Sequence, residues 1–318
     1  MLHATPVVVW WVMRLPVGDA RRVLVEDVLK HLKDCKSRGV PATEASTGGA
    51  LGVGLDRIAK LLPELVDAGL VERRGECLGL TRGGEGYALS VIRAHRLYET
   101  YLADRTGTPL DEWHRRAEVE EHRLTPAAQD RLADSLGNPR FDPHGDPIPT
   151  RGGELVEQAG RSLTAFAAGE DLLVSHVEDE PEEVFAEIAR LRLAPGMRLK
   201  VLERSRGQLR VEVEGMVQAL SLVAAERVHA VRSSLGGPAP SQRRLSAIPL
   251  GGSARVIGIS PSCRGSERTR LLDLGIVPGS VIEAAFSGPL GDPTAYRVRG
   301  TMVGLRREQA EQIFVERM

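Results

Sequence analysis

Between His95 and Pro149 the chain concentrates residue types that can hold a metal ion. His95 and Glu99 lie four apart, and His114, Glu118, Glu121 and His122 follow in a second series. On a helix, side chains three and four residues apart share a face, so each series forms a stripe of imidazole and carboxylate. Two such stripes facing each other would make a metal cage. Mixed nitrogen and oxygen donors suit Mn²⁺, Fe²⁺ or Zn²⁺, whereas Ca²⁺ and Mg²⁺ prefer oxygen alone. A single Glu, His and Arg stripe is usually a solvated helix face. Two stripes followed by the irregular run Asn138-Pro-Arg-Phe-Asp-Pro-His-Gly-Asp-Pro-Ile-Pro149 are harder to explain that way. Within that run His144 reads as structural, holding a rigid Pro-Gly turn by hydrogen bonding.

These ligands need helices to carry them. Apolar Val25, Val28, Leu29 and Leu32 recur at helical spacing, predicting a first helix over 21–35. Residues 41–71 read as helix, turn, helix, although Thr47–Val53 has low helix propensity because of its glycines. The second of these helices starts near Gly54, carries an internal Pro63 and stops at Gly69. Segments 69–74 and 78–82 then form a two-stranded wing ending at Gly83 and Gly84. A helix over 87–105 presents His95 and Glu99, Asp111 precedes the helix with the second stripe, and Thr125-Pro126 starts a third helix ended by Gly137.

The His-x3-Glu, His-x3-Glu-x2-Glu-His and Pro-His-Gly-x-Pro-Ile-Pro series resembles that of the DtxR/MntR metal-dependent transcriptional repressors, most specifically in the last motif. The resemblance implies a winged-helix DNA-binding domain at 20–90 and an all-α metal-binding and dimerisation domain at 91–150. It also implies that Asp27, from the first helix, joins His95, Glu118, Glu121 and His122 around one ion. His95, Glu99 and His114 would form an ancillary site. Asp27 matches a position that is acidic in manganese-type members and methionine in iron-type ones. Three residues on, where the family has a further acid, stands Lys30, and a charged ammonium cannot ligate.

After Pro149 the composition changes and an internal repeat begins. Leu193-Ala-Pro-Gly196 recurs as Ile276-Val-Pro-Gly279, Val213-Glu-Gly215 as Val298-Arg-Gly300, and Ala225-Glu226 as Ala310-Glu311. A Pro-Gly turn, alternating strands, a glycine hairpin, a short helical turn and a last strand describe a small β-barrel, twice. Both copies resemble SH3-like or FeoA-like domains, at 151–232 and 248–318, separated by a Gly-, Pro-, Ser- and Arg-rich linker at 233–247. The second copy matches best, through Arg270-Leu-Leu-Asp-Leu-Gly-Ile-Val-Pro-Gly279. In iron-type relatives the first such domain lends a ligand to the ancillary site, which points to Glu180 and Glu183. An exposed acidic loop is the plainer reading of that segment. The expected fold class is therefore α+β multidomain: a winged helix-turn-helix, an all-α dimerisation domain, then two small SH3-like β-barrels.

At 318 residues several modules are expected. The net charge of −1 and the pI near 6.7 provide no global basic field, so any DNA contact must be local. Arg57, Lys60, Arg73, Arg74 and Arg82 are the candidates, diluted by Asp56, Glu64 and Asp67. Cys35, Cys77 and Cys263 are too scattered for a disulfide framework, which fits a reducing cytoplasm. The apolar run Val7–Met13, within an arm at 1–19, is shorter than a membrane span. Its tandem tryptophans beside Arg14 suit an arm that is disordered or packed on a neighbouring module better than membrane contact.

These features predict a homodimeric, metal-responsive regulator that binds a double-stranded DNA operator with Mn²⁺ or Fe²⁺ as cofactor. The hard donors Glu118 and Asp27 stand where iron-type relatives place a thiol and a thioether, which favours Mn²⁺. The alternative is a metal-sensing adaptor that controls an iron or manganese transporter through its FeoA-like domain. An enzyme is not expected: nucleophile elbow, phosphate loop and HExxH are all missing from the sequence.

Overall fold

The structure, a computed structural model, describes residues 19–233 and 243–318. The apolar run Val7–Met13 and linker positions 234–242 lie outside the described residues. The chain divides into two compact units. One takes residues up to Tyr101 together with His114–Asp142 and Pro147–Glu157; the other takes Leu102–Trp113, Pro143–Asp146 and Gln158–Met318.

The first unit opens with α1 (Ala20–Arg38), whose N-terminus is capped by the Asp19 carboxylate accepting from the Arg21 and Arg22 N–H groups. Strand β1 (Ala42–Thr43) leads into α2 (Glu44–Ala50) and α3 (Leu55–Asp67). Helix α2 forms in spite of Gly48 and Gly49, because Thr43 and Ser46 make a reciprocal capping box at its start. Pro63 is accommodated inside α3, which still buries Ile58, Leu61, Leu62 and Leu65. The wing is β2 (Val71–Arg74) and β3 (Cys77–Leu80), paired antiparallel, with β1 on the other edge of β3. Buried Val25, Val28 and Leu29 of α1 pack with Leu62, Leu65 and Leu70 into one core.

Helix α4 (Arg82–Arg105) begins five residues earlier than the sequence pattern predicts. The cause is Thr81, whose Oγ1 accepts from Gly84 N at 3.1 Å while its carbonyl accepts from Glu85 N. Arg82 therefore sits in the first turn of α4 and not on a wing strand. Helices α5 (Trp113–Glu121) and α6 (Pro126–Ser135) follow, α6 capped by Thr125. Arg93 and Arg96 of α4 donate to the carbonyls of Pro149 and Pro147 at 2.7 and 2.6 Å, fixing the irregular proline segment along the helix.

The second unit holds two six-stranded antiparallel sheets of the same plan. The first contains β4 (Arg161–Ser162), β5 (Asp171–Val177), α7 (Glu182–Arg190), β6 (Arg198–Ser205), β7 (Gln208–Val213), β8 (Met216–Ser221), α8 (Leu222–Glu226) and β9 (Val228–Arg232). The second contains β10 (Arg243–Arg244), β11 (Ser253–Ile259), α9 (Gly265–Asp273), β12 (Val281–Ser287), β13 (Thr294–Val298), β14 (Thr301–Leu305), α10 (Arg307–Glu311) and β15 (Ile313–Arg317). Strand orders are β4-β9-β5-β6-β7-β8 and β10-β15-β11-β12-β13-β14.

The sequence repeat is thus a repeat of topology. Glu214-Gly215 and Arg299-Gly300 form equivalent hairpin turns with both residues at positive φ. Neither ladder closes: β4 and β10 are only two residues long and leave an unpaired edge opposite β8 and β14, so the expected barrels are open sheets. The second module also starts earlier than the expected boundary, since Arg243–Arg244 pairs with β15 and takes those residues out of the linker.

Candidate metal centre

Helix α1 and the end of α5 bring Asp27, Glu121 and His122 together. One ligand atom from each can be chosen so that all lie within 4.8 Å of one another. Asp27 Oδ1 is 3.2 Å and Glu121 Oε1 3.7 Å from His122 Nε2. The other ring nitrogen, Nδ1, lies 2.7 Å from Glu26 Oε2. Glu26 is itself fixed, accepting from Arg22 Nε at 2.8 Å and from the Tyr87 hydroxyl at 2.7 Å. A carboxylate on Nδ1 fixes the ring and so directs Nε2, here toward Asp27, the arrangement that orients metal-binding imidazoles. Burial opposes the His122 imidazolium, but hydrogen bonds to Asp27 and Glu26 outweigh it and raise the pKa to about 9.

A second group consists of His95 and Glu99 on α4 and His114 on α5. Glu99 Oε1 is 3.0 Å from His95 Nε2 and 3.4 Å from His114 Nδ1. The two imidazoles meet edge to face with centroids 4.9 Å apart. Burial opposes the charged form of His95, yet Glu99 and Glu121 hold its pKa above the usual value. Glu118 is half exposed and faces His114 Nε2 at 3.5 Å, and that hydrogen bond lowers its pKa.

Lys30 lies where the two groups meet. Its Nζ is 3.1 and 3.0 Å from the two oxygens of Glu121 and 3.4 Å from His95 Nδ1. Burial works against the ammonium, and Glu121 more than compensates, so its pKa is raised. The Glu121 carboxyl is pushed up by burial but held below its ordinary value by His95 and Lys30.

The expected stripes are therefore split. His122 sits just beyond the last residue of α5, where the chain turns toward α1, so it leaves the face shared by His114 and Glu118. His95 groups with Glu99 and His114 and touches the Asp27 group through Glu121. Sequence reasoning missed Glu26, Tyr87 and Arg22. The four-residue spacing of Arg22 and Glu26 beside Asp27 was the available signal. Glu180 and Glu183 are exposed residues of the second unit, one before Pro181 and one in the first turn of α7. The His144 carbonyl accepts from Val177 N at 2.8 Å and its ring lies against Trp113 and Phe185. Arg57 and Lys60 project from α3 into solvent, whereas Arg73 and Arg74 form ion pairs with Glu44 and Glu72.

No helix among the described residues is long and apolar enough to cross a membrane. Residues 81–150 match the family described as iron dependent repressor, metal binding and dimerisation domain, and residues 243–317 match the FeoA domain. The chain is 32% identical over 125 residues to the iron-dependent repressor IdeR of Mycobacterium tuberculosis, covering 39% of this chain and 54% of that protein. It thus spans about half the length of the curated repressors it matches. Over 73 residues it is 40% identical to an Fe(2+) transport protein A/Fe(2+) transporter FeoB fusion protein of Porphyromonas gingivalis, covering 23% of this chain and 8% of that one. Among solved structures it is similar to a manganese-dependent transcriptional repressor in complex with manganese, with TM-score 0.60, 29% identity, and coverage of 66% of this chain and 100% of the other. Both family matches fall on the segments that carry the motifs: residues 81–150 carry the metal-binding and dimerisation domain described for iron-dependent repressors, and residues 243–317 carry a FeoA domain.

Proposed function

We propose that this protein is a homodimeric, metal-responsive regulator that binds a DNA operator and takes Mn²⁺ or Fe²⁺ at Asp27, Glu121 and His122. The observation that carries this reading is the Glu26 carboxylate on His122 Nδ1, which aims Nε2 at the point shared by Asp27 and Glu121. Two carboxylates and one imidazole fit a divalent ion of that class, and the oxygen-rich set favours Mn²⁺. Glu118 would complete this set on rotation of its exposed side chain. His95, Glu99 and His114 would form the ancillary site, with Glu180 and Glu183 as candidate additions. A bound ion would supply the charge that neutralises the clustered carboxylates and a bond network joining α1 to the end of α5.

The chain's own residues provide the coupling. Asp27 belongs to a helix whose other faces pack in the winged-helix core, while Glu121 and His122 end a helix of the matched dimerisation domain. Fixing α1 to α5 selects one placement of α3, and a ligand that prefers that placement shifts the population toward it. Arg57 and Lys60 of α3, with Arg73, Arg74 and Arg82, supply the contacts to DNA. The domain limits at 20–90, 91–150 and 151–232, with the last module starting at residue 243, and the SH3-like character of both sheets, form part of this reading. So does a cytoplasmic location.

A second reading is supported by the pairing of Arg73 and Arg74 with carboxylates and by the FeoA domain: an adaptor controlling a metal transporter by protein contact. Gel-shift binding to the protein's own promoter, with and without Mn²⁺ or Fe²⁺, separates the two. A metal-dependent, salt-sensitive shift is expected, and its absence with both metals moves the assignment to the adaptor.

A further inference from the structure

We propose that the Lys30 ammonium is a tethered cation that fills the position between the two ligand groups, so that divalent ions enter one per group and never as a pair bridged by Glu121. This rests on the metal-binding reading above and adds a stoichiometric rule to it.

Glu121 is the residue the two groups share. Its side chain is 1% exposed, and its Oε2 faces both His95 Nδ1 at 2.5 Å and Lys30 Nζ at 3.0 Å. Its Oε1 faces His122 Nε2 at 3.7 Å and Lys30 Nζ at 3.1 Å. An ion bridged to the first by Glu121 would use Oε2 together with His95 Nδ1, and Lys30 Nζ is already within 3.4 Å of both atoms. An ammonium donates three hydrogen bonds and accepts none, so it cannot become a ligand while charged. A divalent ion placed against it would meet a like charge at close range beside the buried Glu121 carboxylate, where repulsion is less screened than in open water.

The same placement explains how the metal-free site holds together. Glu121 is a buried carboxylate, and such a group without a partner is strongly destabilising. Lys30 provides a partner from α1, the helix that also brings Asp27. The ammonium therefore keeps α1 and α5 in register before any ion arrives, leaving Asp27 and the oriented His122 Nε2 to accept one.

The test uses the full chain loaded with Mn²⁺, with bound metal counted after equilibrium dialysis and the ions examined by electron paramagnetic resonance. The wild type is expected to show magnetically isolated Mn²⁺, and Lys30→Glu is expected to bind one more Mn²⁺ per subunit and to show an exchange-coupled pair. An exchange-coupled pair in the wild type overturns the inference while leaving the metal centre intact. Folded Lys30→Glu with an unchanged metal count overturns it as well. A wild type that takes up neither Mn²⁺ nor, under anaerobic dialysis, Fe²⁺ overturns both this inference and the functional reading. If Lys30→Glu fails to fold, the wild-type spectrum decides alone.

Discussion

His122 is held by Glu26 through Nδ1 at 2.7 Å, and the residue next to Glu26 in sequence, Asp27, faces the opposite ring nitrogen at 3.2 Å. Consecutive residues of one helix thus hold the imidazole from its two sides. Replacing Glu26 by Gln keeps the shape and removes the charge. Metal affinity, measured by chelator competition, should fall about 10- to 100-fold, the usual effect of losing such a partner. Arg22 also loses its counter-ion in this variant, so metal-free melting must be recorded in parallel. Unchanged affinity in a folded variant would remove Glu26 from the site.

The protonation of His122 gives a pH prediction with a definite sign. Its pKa in the metal-free fold is about 9, above the unfolded value near 6.5. The charged ring therefore stabilises the metal-free protein fully below about pH 6.5, and that contribution is lost as pH rises through about 9. Metal needs the neutral ring, so binding should release a proton, and apparent affinity should rise roughly tenfold per pH unit up to about pH 9. Calorimetry in buffers of different ionisation enthalpy measures the proton count. Zero released at pH 7 would exclude His122 Nε2 as a ligand.

The clustering of His95, Glu99, His114, Glu121 and His122 was legible because residue type and spacing mark it in the sequence. The paired β modules were legible because each glycine hairpin and Pro-Gly turn leaves a local mark. The division of labour was not. A helical stripe assumes that the helix continues, and α5 stops at Glu121, so His122 turns to α1 while His114 stays with α4. Glu26 was hidden for a different reason: a carboxylate on an amphipathic helix looks like a surface charge until Tyr87 and His122, 61 and 96 residues away, are seen to cover it. The start of α4 was missed because Gly83 and Gly84 look like a loop, whereas the cap at Thr81 overrides their low propensity.

Gly84 has a packing reason to be glycine. A Cβ there would stand 1.9 Å from the Leu70 carbonyl oxygen, a backbone atom between α3 and the wing that has little room to yield. Gly84→Ala should destabilise the winged helix by about 1 to 3 kcal/mol, the range for overpacking, and lower its melting temperature. Gly86→Ala, with nothing near its added Cβ, is the control and should match or exceed the wild type. Equal melting of the wild type and Gly84→Ala would mean that the α4 start can shift away from Leu70.

The reading head is tested by charge removal on α3. Arg57 and Lys60 are exposed on that helix, while Arg21 of α1 is paired with Glu64. If Arg57 and Lys60 bind phosphate, changing both to Ala should weaken operator binding across sequences. It should also flatten the dependence of log affinity on log salt by roughly 0.9 for each phosphate no longer neutralised. Metal uptake should be unchanged, because neither residue touches the ligands. Weakening at one operator position alone would instead assign base reading to Arg57. An unaltered metal-dependent shift and salt slope would place the DNA-binding surface elsewhere on the molecule. The double variant also discriminates between regulator and adaptor: under the adaptor reading the basic residues of α3 are ordinary surface charge, and their removal leaves metal-dependent partner binding untouched.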